Sequence, residues 1–296
     1  MSLKKITYTL ILLFTHFYVF AQSSNWKIET SIEQLNHDYN WSIAGNPEGN
    51  SPNILSELIW SKLKGPKINL NISRSVYKQF ELSFNFSQHC IKQGRAKDTD
   101  YLQDNRTDPF FDEDALSNKG QAFDYSLFLK YEIPAGRFLK LKPYIGAAYF
   151  DKKLYLLDFP GTLNDPPLNS TYKNRWKGGV LGIETGYQLN KLLLILNLAA
   201  GYYDYLAKAR WNLNEKFNQP LSFKQTANSY TLSAGFRAGY SLSKHIAVIM
   251  GVEKKYGASY SGIDEAYLSD GEEVRTRFNG AEFNSFGAKA GLEFTF

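Results

Sequence analysis

The chain has 296 residues, a formal net charge of +5, one cysteine and a mean hydropathy of −0.37. A helical membrane protein needs stretches of about 20 apolar residues. Only the N-terminus carries a comparable run, which excludes a polytopic helical bundle. The 21 Phe, 20 Tyr and 5 Trp residues exclude a disordered chain. This composition favours an all-β protein, either a soluble β-sandwich or an outer-membrane β-barrel.

The N-terminal segment has the three parts of a secretory signal. Lys4 and Lys5 precede the apolar run 6–20, and the small residue Ala21 follows. This order predicts a signal peptide over residues 1–21 that is cleaved, with residues 22–296 as a single domain. Removing both lysines lowers the net charge from +5 to +3, which is too weak to favour a nucleic-acid partner. The single cysteine excludes an internal disulfide framework.

Alternation of apolar and polar residues marks the strands, most clearly at the C-terminus. From Phe286 to Phe296 every even position is apolar, and the odd positions are Gly, Lys, Glu and Thr. Such alternation predicts a strand with one face in an apolar medium and the other in a polar one. A closing aromatic residue is typical of outer-membrane barrels. An edge strand of a soluble sandwich is the alternative.

The same pattern predicts ten strands along the chain. They span residues 26–41, 55–73, 80–91, 121–133, 138–156, 173–188, 191–207, 223–241, 246–258 and 279–296. Four short turns alternate with five long polar loops, as in an outer-membrane barrel whose termini both face the periplasm. The predicted fold class is therefore all-β, a ten-stranded antiparallel transmembrane β-barrel in the outer membrane of a Gram-negative bacterium.

The connection 92–120 is the most acidic loop. Asp98 and Asp100 stand two residues apart, so an extended chain places both carboxylates on one face. Such a pair can share a proton or hold a water for general-base attack. A solvated acidic loop or a calcium site is the alternative reading. The sequence shows no other phosphate-binding, metal-binding or nucleophile motif, so no metal and no cofactor are expected.

Several short segments resemble the omptins, which are ten-stranded outer-membrane endopeptidases. The segments are Ser56–Trp60, Asp98–Tyr101, Tyr172–Arg175 and the closing Gly291–Phe296. The resemblance covers roughly residues 26–296. It implies that Asp98 and Asp100 are the catalytic Asp pair at the barrel mouth, and that Asp112 matches a further family aspartate.

The resemblance fails at the second half of the omptin site. The family's Asp-His dyad, which activates a water together with the Asp pair, matches Asn212 and Asn214 here. His37 is the one plausible substitute for the missing histidine. Trp41 and Arg210 match acidic substrate-binding positions, so a preference for basic cleavage sites is not expected. Two readings follow: an outer-membrane barrel whose proteolysis is lost or altered, or an active omptin-type peptidase with a remodelled site.

The resemblance also implies a lipid site on the outer wall. Tyr149, Asp151, Lys153 and Arg175 match the omptin residues that bind lipopolysaccharide. Tyr149 closes an outward apolar series, so charges beyond it suit phosphorylated headgroups. Ordinary snorkelling of interfacial side chains is the alternative. The expected partners are outer-membrane lipid or lipopolysaccharide, which active omptins require, and extracellular peptides or proteins, with the barrel a monomer. A passive pore is least favoured, because Arg237, Glu253, Lys255, Lys289 and Glu293 are expected to fill a narrow lumen.

Overall fold

The computed structural model describes residues 26–162 and 164–296 as one β-barrel. The predicted signal peptide lies outside the described residues. The ten barrel strands are β1 (Trp26–Ile43), β2 (Ser56–Tyr77), β3 (Phe80–Ile91), β6 (Gly120–Tyr131), β8 (Leu139–Leu157), β9 (Asn169–Leu189), β10 (Leu192–Arg210), β11 (Phe223–Ser241), β12 (Ile246–Ser259) and β14 (Glu273–Thr295). Four short strands complete the chain: β4 (Gln93–Gln103), β5 (Thr107–Leu116), β7 (Ile133–Pro134) and β13 (Gly262–Tyr267).

Each barrel strand pairs antiparallel with its neighbours, and the sheet closes on itself. The closing pair is β1 with β14, whose register runs from Lys27 opposite Thr295 to Ile43 opposite Phe278. The predicted ten-stranded antiparallel barrel is confirmed. Along the described part of the chain, no helix has the length and apolar character needed to span a membrane.

The side chains show that the barrel is inverted relative to a soluble protein. Large apolar residues face outward, as in Ile32 at 67% exposed and Met250 at 64% exposed. Glu33, next to Ile32 on β1, and Lys130 on β6 are buried inside. An apolar outer band around a charged lumen is the arrangement of an outer-membrane barrel and contradicts a soluble sandwich.

Two features lie beyond the sequence prediction. The acidic connection 92–120 is a β-hairpin, β4–β5, that extends the barrel wall outward from β2. Both of its faces carry polar residues, so the alternation that marks lipid-facing strands is absent there. Strand β13 likewise extends the wall between β11 and β14.

The lower half of the lumen is a charged vestibule of about 590 Å³. Of the five charged residues predicted for the lumen, Arg237, Lys289 and Glu293 form ion pairs: Arg237 bridges Glu293 and Glu29, and Lys289 reaches Glu29 at 3.2 Å. Lys130 reaches Glu184 at 2.6 Å on the opposite wall. Side chains and ion pairs therefore occupy much of the narrow lumen.

The upper half of the lumen is filled by a cluster of buried rings, called here the aromatic plug. Its members are Tyr39, Trp41, Trp60, Tyr172, Trp176, Tyr205, Phe223, Phe278 and Phe283. Ring centroids lie 5.3 Å apart for Trp60 and Tyr172, and 5.5 Å apart for Tyr205 and Phe278. These rings come from six of the ten barrel strands, β1, β2, β9, β10, β11 and β14, and they pack across the lumen below the mouth.

Candidate functional site

The Asp pair stands at the barrel mouth, above the aromatic plug. Asp98 lies opposite Leu58 on β2, and Leu58 lies opposite Trp41 on β1. Asp100 lies opposite Ser56, whose hydroxyl hydrogen-bonds its carboxylate. The two carboxyls share the inner face of the hairpin, as their spacing predicted.

The environment of the pair favours neutral carboxyl groups. Burial, and then the neighbouring Asp100 charge, raise the pKa of Asp98 to about 7. Burial also raises the pKa of Asp100, against the hydrogen bond from Ser56. At neutral pH the Asp98 carboxyl is therefore about half protonated, and in its protonated form it can donate as well as accept hydrogen bonds.

Trp211, just beyond the end of β10, contacts the Asp pair at the mouth. Its side chain hydrogen-bonds the Asp98 carboxyl. Its ring centroid lies 4.8 Å from that of Phe223 and 6.5 Å from that of Trp41, so the indole belongs to the upper edge of the plug. A rigid ring donor thus faces the pair instead of a proton acceptor.

The two asparagines of the expected dyad position turn away from the pair. Asn212 accepts hydrogen bonds from Asn169 and Ser170 and donates to the Pro167 carbonyl, all in the neighbouring loop. Asn214 is exposed and accepts from the backbone of Lys216. Both residues therefore hold loops together rather than face Asp98.

His37 lies well below the mouth. It faces Leu63 on β2, five residues from Leu58, which is roughly 16 Å at 3.3 Å per residue. The buried imidazole accepts a hydrogen bond from Lys152 and stacks on Tyr39, beneath the plug. The structure does not bring His37 to the Asp pair.

The three expected substrate-binding residues occupy three different environments. Trp41 is buried in the plug, stacked on Tyr172. Asp112 is exposed on the opposite face of the hairpin from the pair and bridges Lys97 at 3.0 Å. Arg210 points outward and donates to Gln219, because the alternation of β10 places Ala209 inside. This placement corrects the expectation that Arg210 lines the cleft.

The outer wall does bring the four expected lipid-binding residues together. Asp151 accepts from the Tyr149 hydroxyl at 3.2 Å and lies opposite Arg175 across the β8–β9 pair. Lys153 lies opposite Lys173, whose ammonium reaches Asp151 at 3.0 Å.

The basic part of this wall is wider than the resemblance implied. Cross-strand register places Lys173 opposite Lys208, and Lys208 opposite Lys224. With Lys153 these residues form one row over four strands, called here the lysine row. On β9, β10 and β11 the residues that alternate with the buried ones face outward. This alternation could have identified the lysine row from the sequence.

A comparison with protein families decides the assignment of the chain. The profile described as Pom, Protochlamydia outer membrane protein, matches residues 35–296. The chain belongs to the Protochlamydia outer membrane protein family. Membership agrees with the barrel architecture and places the protein in the outer membrane, as predicted. No curated protein matches the sequence.

The fold of this family member is also that of solved outer-membrane barrels. It resembles the outer membrane protease OmpT from Escherichia coli with a TM-score of 0.72 at 15% identity, covering 93% of this chain and 99% of that one. The translocator domain of the autotransporter NalP from Neisseria meningitidis matches with a TM-score of 0.41 at 11% identity, covering 99% and 96%. The first likeness establishes a shared fold, and the second is too weak to support an argument.

Proposed function

We propose that this family member is a divergent omptin-like barrel that does not hydrolyse peptides and that binds phosphorylated lipid headgroups on its outer wall. The omptin-like fold and the four matching segments support the relationship. The observation that carries the first half is the position of His37, which is bonded to Lys152 and lies opposite Leu63, away from the Asp pair.

The chemistry of the mouth supports the loss of peptidase activity. An Asn amide has no proton to exchange near neutral pH, so neither Asn212 nor Asn214 can act as a general base. His37 is engaged with Lys152 below the plug. General acid–base catalysis contributes about 10²–10⁴ in rate, and that contribution is missing here.

A peptide-cleavage assay tests this half of the proposal. We expect the refolded barrel to leave a mixed peptide library intact, with or without lipopolysaccharide. An Asp98→Ala, Asp100→Ala double variant is the matched control. Cleavage by the unmodified protein that disappears in the double variant would support the second candidate, an active omptin-type peptidase with a remodelled site and no preference for basic residues.

The lysine row carries the second half of the proposal. Lys153, Lys173, Lys208 and Lys224 lie side by side just beyond the apolar outer band. Arg175 and Lys177 add positive charge on β9, against Asp151, Asp204 and Glu265, of which Glu265 reaches Lys224 at 2.5 Å. Adjacent like charges are unfavourable on a bare strand surface. A row of phosphate groups would offset that repulsion with charge-assisted hydrogen bonds.

Neutralising the row should weaken lipopolysaccharide binding. We expect a Lys153→Gln, Lys173→Gln, Lys208→Gln variant to bind purified lipopolysaccharide roughly 100-fold less tightly at low salt, since each lysine contributes about 1 kcal/mol near an anionic surface. Titration of detergent-solubilised barrel with lipopolysaccharide measures this change. A Lys191→Gln, Lys244→Gln variant, altered at the periplasmic turns, should bind normally. Equal binding by all three proteins would refute the lipid site.

A further inference from the structure

A second, smaller cavity lies in the middle of the lumen, between the plug and the vestibule. Its volume is about 70 Å³, room for roughly five water molecules at 10–15 Å³ each. His37, Trp176 and Phe283 line its upper side. Lys67 and Lys255 line both this cavity and the vestibule, so the two spaces adjoin and small solutes can enter from the periplasmic side.

Two buried side chains that line this cavity have nitrogen atoms without a hydrogen-bond partner among the described residues. They are Nε2 of His89 and Nδ2 of Asn174. His89 is 3% exposed and Asn174 is 1% exposed. The Asn174 oxygen already accepts from the Trp176 indole at 3.1 Å, which fixes the amide nitrogen as the group left over. A buried polar group without a partner is unfavourable by about 1–3 kcal/mol, so such groups ordinarily have a ligand.

Two ammonium groups line the same cavity. Lys152 donates to His37 and lies over the rings of Tyr39 and Phe283. Lys255 lies 3.5 Å from the centroid of Phe150. Within the described chain neither lysine forms an ion pair with a carboxylate. Each ammonium group has three N–H donors, so both lysines have N–H groups that are free to donate to a ligand.

The carboxylates around the cavity are directed mainly elsewhere. Glu33 and Asp124 both contact Lys67, at 3.5 and 3.8 Å. Glu33 also accepts from Asn69, and Asp124 from Ser87. Glu253 is the third carboxylate on the wall. The three carboxylates balance the three lysines in formal charge. The cavity therefore has no net positive charge, and its unpaired hydrogen-bond donors select the ligand.

We propose that this mid-barrel cavity is a binding site for a small inorganic anion of halide size. The ligands are the ammonium groups of Lys152 and Lys255, Nδ2–H of Asn174 and Nε2 of His89 in the tautomer that carries its proton there. An anion accepts from all four donors and offers none, whereas each water that accepts must also find acceptors for its own protons. The site is independent of peptide hydrolysis and of the lipid-binding wall.

Bromide, which scatters anomalously, locates the site directly. Crystals of the mature barrel grown in sodium bromide should show an anomalous peak within hydrogen-bond distance of Lys152 and Asn174. In solution, chloride should raise the midpoint of thermal unfolding by roughly 2–4 °C at tenfold saturation, relative to gluconate at equal ionic strength.

Three variants separate anion binding from packing. Asn174→Asp keeps the acceptor for Trp176 but replaces the free donor with negative charge, so the chloride effect should vanish. His89→Gln keeps a nitrogen donor near Nε2 and should retain the effect, while His89→Leu should weaken it. A bromide map with no peak in the cavity, or with an adventitious ion only at the surface, overturns the proposal. The bromide experiment uses the natural protein, so its outcome does not depend on whether a variant folds.

Discussion

We expect that a triple alanine variant of Tyr39, Tyr172 and Tyr205 conducts ions, whereas the natural barrel does not. The three hydroxyls bond to one another, with Tyr205 between Tyr39 at 2.8 Å and Tyr172. All three residues are buried at the centre of the plug. Their removal deletes three rings from the packed layer between the mouth and the vestibule. Planar-bilayer recordings should show no channels for the natural protein and steady openings for the variant.

A phenylalanine series is the matched control for this experiment. Replacing the same three tyrosines by phenylalanine keeps the rings and removes only the hydroxyl bonds, so the barrel should stay closed. Each aromatic-to-alanine change in a packed core is unfavourable by about 3–5 kcal/mol. Heat-modifiable migration on gels must therefore show that the alanine variant still forms a barrel. Channels in the natural protein at comparable conductance would contradict a sealed lumen.

The plug shows what strand periodicity can and cannot reveal. Alternation predicted the ten strands because lipid imposes an apolar face on each of them, and the structure confirms that pattern. The inward residues follow from the same parity, so Trp60 and Tyr172 could have been assigned to the lumen. Whether these rings lie in the same layer depends on the stagger between neighbouring strands. The pattern within one strand does not reveal that stagger.

The mouth was only partly predictable for a different reason. Asp98 and Asp100 lie on a strand, so their spacing alone placed them on one face. Arg210 was assigned to the wrong face, because a shift of one residue in a strand reverses its direction. Asn212 and Asn214 follow the end of β10, so the alternation of inward and outward side chains no longer applies to them. The directions of their side chains are set by hydrogen bonds, from Ser170 to Asn212 and from Lys216 to Asn214.

A buried carboxyl that the sequence did not single out gives the largest expected pH effect. Asp264 on β13 is 2% exposed and accepts a hydrogen bond from Gln225 at 2.9 Å. Gln225 accepts in turn from Tyr172, so Asp264 ends the hydrogen-bonded chain that runs through the plug. Burial raises the pKa of Asp264 to about 7 from its ordinary value of 3.8.

The sign of the effect follows from proton binding. Below about pH 4 both folded and unfolded states hold the proton, and the folded barrel has its full stability. Between pH 4 and 7 the unfolded state releases the proton while the folded state keeps it, so the free energy of unfolding falls as pH rises. The total loss is about 4 kcal/mol at 1.36 kcal/mol per pKa unit, and it levels off above pH 7. Asp98 adds a loss of the same sign.

We therefore expect Asp264→Asn to raise the free energy of unfolding by up to about 4 kcal/mol at pH 8 and to leave it unchanged at pH 3.5. The amide keeps the acceptor for Gln225 and removes the charge. Urea titrations in lipid vesicles from pH 3.5 to 8 measure the difference. Glu265→Gln, at the adjacent position, is the control of opposite sign. Lys224 and Arg275 lower the pKa of Glu265, so loss of that carboxylate should destabilise the barrel at pH 8. A variant Asp264→Asn with the same pH profile as the natural protein would show that Asp264 is ionised in the folded state. Such a result would mean that water reaches the top of the plug.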